Sequence, residues 1–270
     1  YNDSNYPDVT PERDGKRLIV QPNTFNMYCH REPRFYLTVV WNGQWFKWEN
    51  RNTNFLYGQP DGGPTHDAPQ NGYLNRSRVS LDYIPRDNNH PYRPAIIFRM
   101  AEAYLSYAEA LNESSERMSH KQEILDNLNK IRHRAGIAEY GTGTDENGFT
   151  RIKINFSDQK EVRRLIHKER RVEFVGEGVR YHDLRRWKTA HYGIGNLNEQ
   201  GENPDWGVNG PDYGMNYYGT EYTDQGDNAF FKRTKYMDRV YPRKFYWYPI
   251  HQSEIDKDPT LVQGPFWLGE

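Results

Sequence analysis

KEVRRLIHKERRVEFVGEGVRYHDLRRWK, Lys160 to Lys188, places two glutamates on a helix face that should be apolar. At about 100° per residue, Val162, Leu165, Ile166, Glu169, Val172, Glu173 and Gly176 share one side, and Lys160, Arg163, Arg164, Lys168 and Arg171 share the other. An unpaired buried carboxylate is strongly unfavourable, so Glu169 and Glu173 require cationic partners or a catalytic task. One helical turn puts them about 6 Å apart, close to the spacing of a retaining glycosidase pair. Arg170, Arg180, Arg185 and Arg186 lie within a few residues, and guanidinium forks suit buried carboxylates. The expectation is therefore a structural ion-pair network of Glu169, Glu173, Arg170, Arg180, Arg185 and Arg186, with no catalytic residue.

Outward from this stretch, Ser157 or Asp158 opens the helix, with Glu161 three residues after Asp158 as a capping-box partner, and Gly176 and Gly178 interrupt it. A further helix runs from about Arg180 to Lys188. Upstream, Ser119 and Gln122 form another candidate capping box. Ile124, Leu128, Ile131 and Ala135 form the buried stripe that follows, and Gly136 is its left-handed terminator. A preceding helix is predicted from Pro94, with Ile97, Met100, Ala101, Tyr104, Ala108 and Leu111 recurring at threes and fours.

The N-terminal part reads differently. Arg34 to Trp41 is rich in β-branched and aromatic residues and runs into Asn42-Gly43, a turn dipeptide, so a hairpin with Gln44 to Trp48 is predicted. Gly58 to Gly72 reads as a surface loop, Tyr73 to Tyr83 and Lys244 to Ile250 as extended, and Thr189 to Asn228 as one long loop. Residues 1–30 form an extended lead-in, 94–190 a helical scaffold, and 191–270 a loop-rich closing segment.

Over 270 residues the formal charge is −1, which offers no general attraction to nucleic acid or an anionic membrane. The segment 160–188 carries ten Lys or Arg against five Asp or Glu, but without interleaved aromatics its basic face reads as a solvated helix surface. Cys29, the sole cysteine, excludes an intrachain disulfide and any multi-cysteine metal site, and reads as a packed small residue. Asp205, Asp212, Asp224 and Asp227 match no calcium-loop spacing, and His30, His167, His182 and His251 lack metal-ligand spacing. No metal or cofactor is expected.

RMAEAYLSYAEALNE (Arg99–Glu113), ILDNLNKIRHRAGI (Ile124–Ile137) and HKERRVEFVGEGVRYHDLRRW (His167–Trp187) together resemble the C-terminal part of the SusD/RagB family. REPRFYLTVVWNG (Arg31–Gly43), YPIHQSEID (Tyr248–Asp256) and DPTLVQGPFW (Asp258–Trp267) are similar to further motifs of that family. His251 stands where the family usually has a second proline after Tyr-Pro, and Gly264-Pro265 where it usually has Asn-Pro-Gly. The resemblance implies a mainly α fold of tetratricopeptide-like helix pairs with long irregular loops and a few short β-hairpins. It also implies a bacterial outer-membrane lipoprotein that captures nutrients, commonly oligosaccharides, and delivers them to a SusC-like TonB-dependent transporter. Its lipid anchor belongs to the family's N-terminal part.

Sugars present apolar C–H faces ringed by hydroxyls, so a sugar-binding surface needs flat aromatic rings with hydrogen-bonding groups at their edges. The chain has 21 tyrosines and 7 tryptophans. WNGQWFKWENRN (Trp41–Asn52) and DWGVNGPDYGMNYYGTEYTD (Asp205–Asp224) supply that mixture. Trp45, Trp48, Trp206, Tyr213 and Tyr217 are the expected stacking residues, and Asn209 and Asp212 their edge partners. Three other readings stand beside this one. Peptide capture would use sheet edges and charged pockets, a glycoside hydrolase or its accessory domain would use the glutamates, and a scaffold would bind a partner helix.

Overall fold

The computed structural model describes residues 20, 23–46, 49–77, 79, 87–88, 90–92, 94–193 and 207–267. The chain gathers into two units, Tyr1–Glu177 with Met215–Lys232, and Gly178–Gly214 with Arg233–Glu270. Most of the lead-in expected over residues 1–30 lies outside the described residues. The architecture is mainly helical, with three two-stranded antiparallel pairs among the described residues.

In the first unit, three helices pack together: α2 (Met100–Glu113), α3 (Lys121–Arg134) and α4 (Gln159–Glu173). They follow α1 (Pro33–Thr38) in the chain. Leu105, Ala108, Ile124, Leu128, Ile131, Val162 and Ile166 are buried, the faces that 3.6-residue periodicity selects. Asp158 caps α4, its side chain accepting from the Lys160 and Glu161 amides, which satisfies two donors that have no partner inside the helix. Gly176 and Gly178 at positive φ then end the helical run. Gly136 stops α3 at φ 67°, donating to the His133 carbonyl at 3.0 Å. The start of α3 differs from the expected capping box: His120 occupies the cap position and no side chain bonds the first-turn amides.

Two further readings are corrected here. The helix predicted from Pro94 begins at Met100, and Ile97 is 97% exposed. Arg99 is drawn into an extended conformation, where its guanidinium reaches Glu173 and Glu177 and lies over the Phe174 ring at 4.6 Å. Arg34 to Trp41 is mostly helix, because Pro33 at the first helical position favours a turn and the Tyr36 hydroxyl donates to the Tyr28 carbonyl at 2.9 Å. Only β1 (Val39–Trp41) is strand. It pairs with β4 (Tyr73–Asn75), while β2 (Trp45–Phe46) pairs with β3 (Arg51–Asn52), so the expected hairpin partners separate.

A second core in this unit is largely aromatic: Val20, Tyr28, Cys29, Tyr36, Trp41, Phe55, Met215, Phe230 and Phe231. Phe25 stacks on Phe231 at 3.8 Å between centroids, and Phe35 on Trp41 at 5.5 Å. The Cys29 thiol faces the Phe25 carbonyl at 3.6 Å, a packed residue.

The second unit holds α5 (Val179–Arg186), β5 (Gly210–Gly214) paired with β6 (Thr234–Arg239), and α6 (Gln252–Lys257). The stretch predicted as one loop from Thr189 thus contains a strand. Lys244 to Ile250, predicted extended, opens with a 3-10 turn over Arg243–Tyr246. The core of this unit is small: Leu184, Ala190 and Tyr241, with Val208 and Tyr246 packed against them. Among the described residues no helix is long and apolar enough to cross a membrane.

Candidate functional site

Glu169 and Glu173 are buried, but their partners are not the expected arginines. Arg34 Nη1 donates to Glu169 Oε1 at 2.6 Å and to Glu173 Oε2 at 3.1 Å. Arg132 Nη1 donates to Glu169 Oε2 at 2.9 Å. Arg99 and Arg134 both donate to Glu173 Oε1. All four carboxylate oxygens therefore hold guanidinium donors, and both glutamates are buried. Burial would lower the Arg34 pKa, but hydrogen bonds to Glu32 and Glu169 raise it above its ordinary value.

Arg170 is the correction nearest to them. One residue along a helix turns the side chain about 100° away, and Arg170 Nη1 instead donates to Ser106 Oγ at 3.0 Å. Arg180, Arg185 and Arg186 lie beyond the Gly176–Gly178 break, in the second unit. Arg180 is half-buried at the start of α5 and Arg186 pairs with Asp183 at 2.9 Å. Arg185 contacts Tyr181, Tyr246 and Tyr248.

The candidate ligand surface sits on the aromatic core of the first unit, where two loops meet. Tyr57 donates its amide to the Gly219 carbonyl at 2.8 Å, which brings three tyrosine rings together. Centroids are 6.0 Å apart for Tyr57–Tyr217, 5.5 Å for Tyr57–Tyr218 and 5.1 Å for Tyr217–Tyr218. Tyr218 is 70% exposed. Asn216 fixes this loop: its amide nitrogen donates to the Asp227 and Ala229 carbonyls, each at 3.2 Å, and its oxygen accepts from the Tyr218 amide at 3.2 Å. Gly63 lies under Tyr217, where a Cβ would come within 2.6 Å of the ring.

Asp61 anchors the other loop. Arg51 meets it as a bidentate fork, Nη1 to Oδ2 at 2.6 Å and Nη2 to Oδ1 at 2.7 Å, and the Asn54 amide donates to Oδ2 at 2.7 Å. Burial would raise the Asp61 pKa, but these donors hold it below its ordinary value. Within the same loop, Asn54 Nδ2 donates to Gln59 Oε1 at 3.4 Å.

The residues singled out in the sequence divide between the two units. Trp45 is half-buried in β2 opposite Asn52, and Tyr217 belongs to the tyrosine group. Trp48 and Trp206 lie outside the described residues. Asn209, expected at a ligand edge, is a structural pin in the second unit, donating to the His191 carbonyl at 2.6 Å and accepting from the Tyr241 amide. Asp212 pairs across the strands with Arg239, and Asp227 with Lys232 at 2.8 Å. Tyr213 lies under the Arg233 guanidinium at 4.0 Å. Sequence reasoning missed Tyr57 and Tyr218. Tyr218 adjoins Tyr217 in the quoted stretch, but Tyr57 precedes a Gly- and Pro-rich loop with no period to mark it.

A helical scaffold that carries aromatic loops has known counterparts. The chain belongs to the SusD family, whose model matches residues 4–267. It is 32% identical over 109 residues to a SusD-like protein of Formosa agariphila, a stretch that is 40% of this chain and 18% of that relative. Among solved structures, a SusD-like protein from Bacteroides fragilis aligns over 90% of this chain and 40% of that one, at 26% identity and a TM-score of 0.61. A SusD-like carbohydrate binding protein from the same organism aligns over 92% and 45%, at 23% identity and a TM-score of 0.57. The chain thus spans less than half the length of these solved relatives.

Proposed function

We propose that this chain binds nutrient oligosaccharides at the surface of the bacterial outer membrane, without catalysis, for delivery to a SusC-like TonB-dependent transporter. The observation that carries this reading is the Tyr57–Tyr217–Tyr218 group, with one ring open to solvent. Exposed rings held by a fixed loop suit the apolar face of a sugar and lose little freedom on binding. Membership of the SusD family supports the reading, as does the carbohydrate-binding description of one similar structure. A non-catalytic role is in keeping with Glu169 and Glu173, whose oxygens are all held by arginines.

The test is a glycan array followed by titration calorimetry on the strongest hits. Tyr218→Ala and Tyr57→Ala should each weaken binding while leaving the thermal melt in place. Unchanged affinity in both variants, or release of reducing ends from a bound polysaccharide, would overturn the reading.

A further inference from the structure

We infer that the second unit holds a contact site for an acidic sugar residue, uronate or sulfated, built from Tyr181, Arg185 and Tyr248. Arg185 on α5 lies over both tyrosine rings, 5.3 Å from the Tyr181 centroid and 4.9 Å from that of Tyr248. Its Nη1 faces the two phenol oxygens at 3.4 and 3.1 Å, and Nη2 donates to the Tyr246 carbonyl at 2.8 Å. The guanidinium is thus held by neutral acceptors. Among the described residues no carboxylate pairs with it, whereas the adjacent Arg186 is paired with Asp183 at 2.9 Å and Arg239 with Asp212.

Both rings are open, Tyr248 at 75% and Tyr181 at 46%. The Arg185 hydrogen bond holds the Tyr248 phenol below its ordinary pKa. A cation already oriented between flat rings matches a sugar that offers a C–H face for stacking and a carboxylate or sulfate at its rim. A neutral sugar would satisfy the rings and leave the guanidinium without an anion. An acidic peptide would meet the charge but present no flat C–H face to the rings.

The inference adds ligand charge to the proposed function and uses residues of the other unit, so each can fail separately. Tyr218→Ala tests the tyrosine group and Arg185→Gln tests this site. Titration calorimetry of the whole chain would use a galacturonate tetrasaccharide, a sulfated galactan tetrasaccharide, a neutral cellotetraose and a glutamate-rich peptide, at two ionic strengths. An acidic tetrasaccharide should bind roughly tenfold or more tighter than the neutral one, and salt should erode that difference. Arg185→Gln should remove the preference, and Tyr248→Ala should weaken acidic and neutral ligands alike. Selection of the carboxylate or of the sulfate ligand identifies the source of the anion, and either supports the inference. Equal binding of acidic and neutral ligands, an acid preference that survives Arg185→Gln, or a peptide bound as tightly as the acidic sugars would overturn it. Because Arg185 also holds the Tyr246 carbonyl, Tyr248→Ala on an exposed ring decides the matter should Arg185→Gln fail to fold, since unchanged affinity for the acidic tetrasaccharide in that variant would overturn the inference.

Discussion

Arg34 and Glu169 are 135 residues apart in the chain, yet their Nη1 and Oε1 atoms lie 2.6 Å apart. The same nitrogen reaches Glu173, so one guanidinium ties α1 to two successive turns of α4. With Arg34 removed, Glu169 keeps Arg132 and Glu173 keeps Arg99 and Arg134, so the loss is that of charge-assisted hydrogen bonds, about 1.5–3 kcal/mol. Arg34→Ala is therefore expected to lower stability on that scale, read as a lower urea midpoint. Arg185→Gln, which touches neither glutamate, should leave the first unit's transition in place.

Gly63 sets the height of Tyr217. A Cβ there would meet the phenol end of the ring within 2.6 Å, so Gly63→Ala should push that ring aside at a small cost in stability. It should thereby displace Tyr217 from Tyr57 and Tyr218 and weaken glycan binding. A variant with parental affinity and parental melting temperature would show that the ring is not held from below.

Asp61 gives the same surface a dependence on pH. Its pKa in the folded chain lies below its unfolded value, near 3.8. Its contribution to stability is therefore present above the unfolded value and lost as pH falls through the folded one. Acidification from about pH 4 downward should progressively release the loop that carries Tyr57, fully once pH passes the folded value. Tyrosine fluorescence and glycan affinity, followed against pH, should change together in the parent. Asp61→Asn should bind more weakly at neutral pH and lose that acid step.

Asn209 separates a structural role from a ligand role. Its side chain brackets the His191 and Tyr241 backbones. Asn209→Ala leaves those groups short of a partner and should cost roughly 1–3 kcal/mol. Affinity at the tyrosine group, measured well below the melting temperature, should not move.

The sequence by itself determined α3 and α4, their buried stripes, the Asp158 cap and the Gly136 stop. Each of these rests on signals within about four turns of helix: periodicity, a side chain that bonds its own first turn, and a glycine that tolerates positive φ. It also marked Glu169 and Glu173 as carboxylates that required cations. Only the tertiary structure decided which cations those are, because burial is satisfied by whatever packs closest in space, and Arg34, Arg99, Arg132 and Arg134 arrive from other elements. The same holds for α1, where Pro33 and the Tyr36 hydroxyl prevail over a window of strand-forming residues. The tyrosine group was illegible for a related reason. Tyr57 and Tyr218 meet through one amide-to-carbonyl bond between irregular loops, and irregular loops carry no period from which such a meeting could be read.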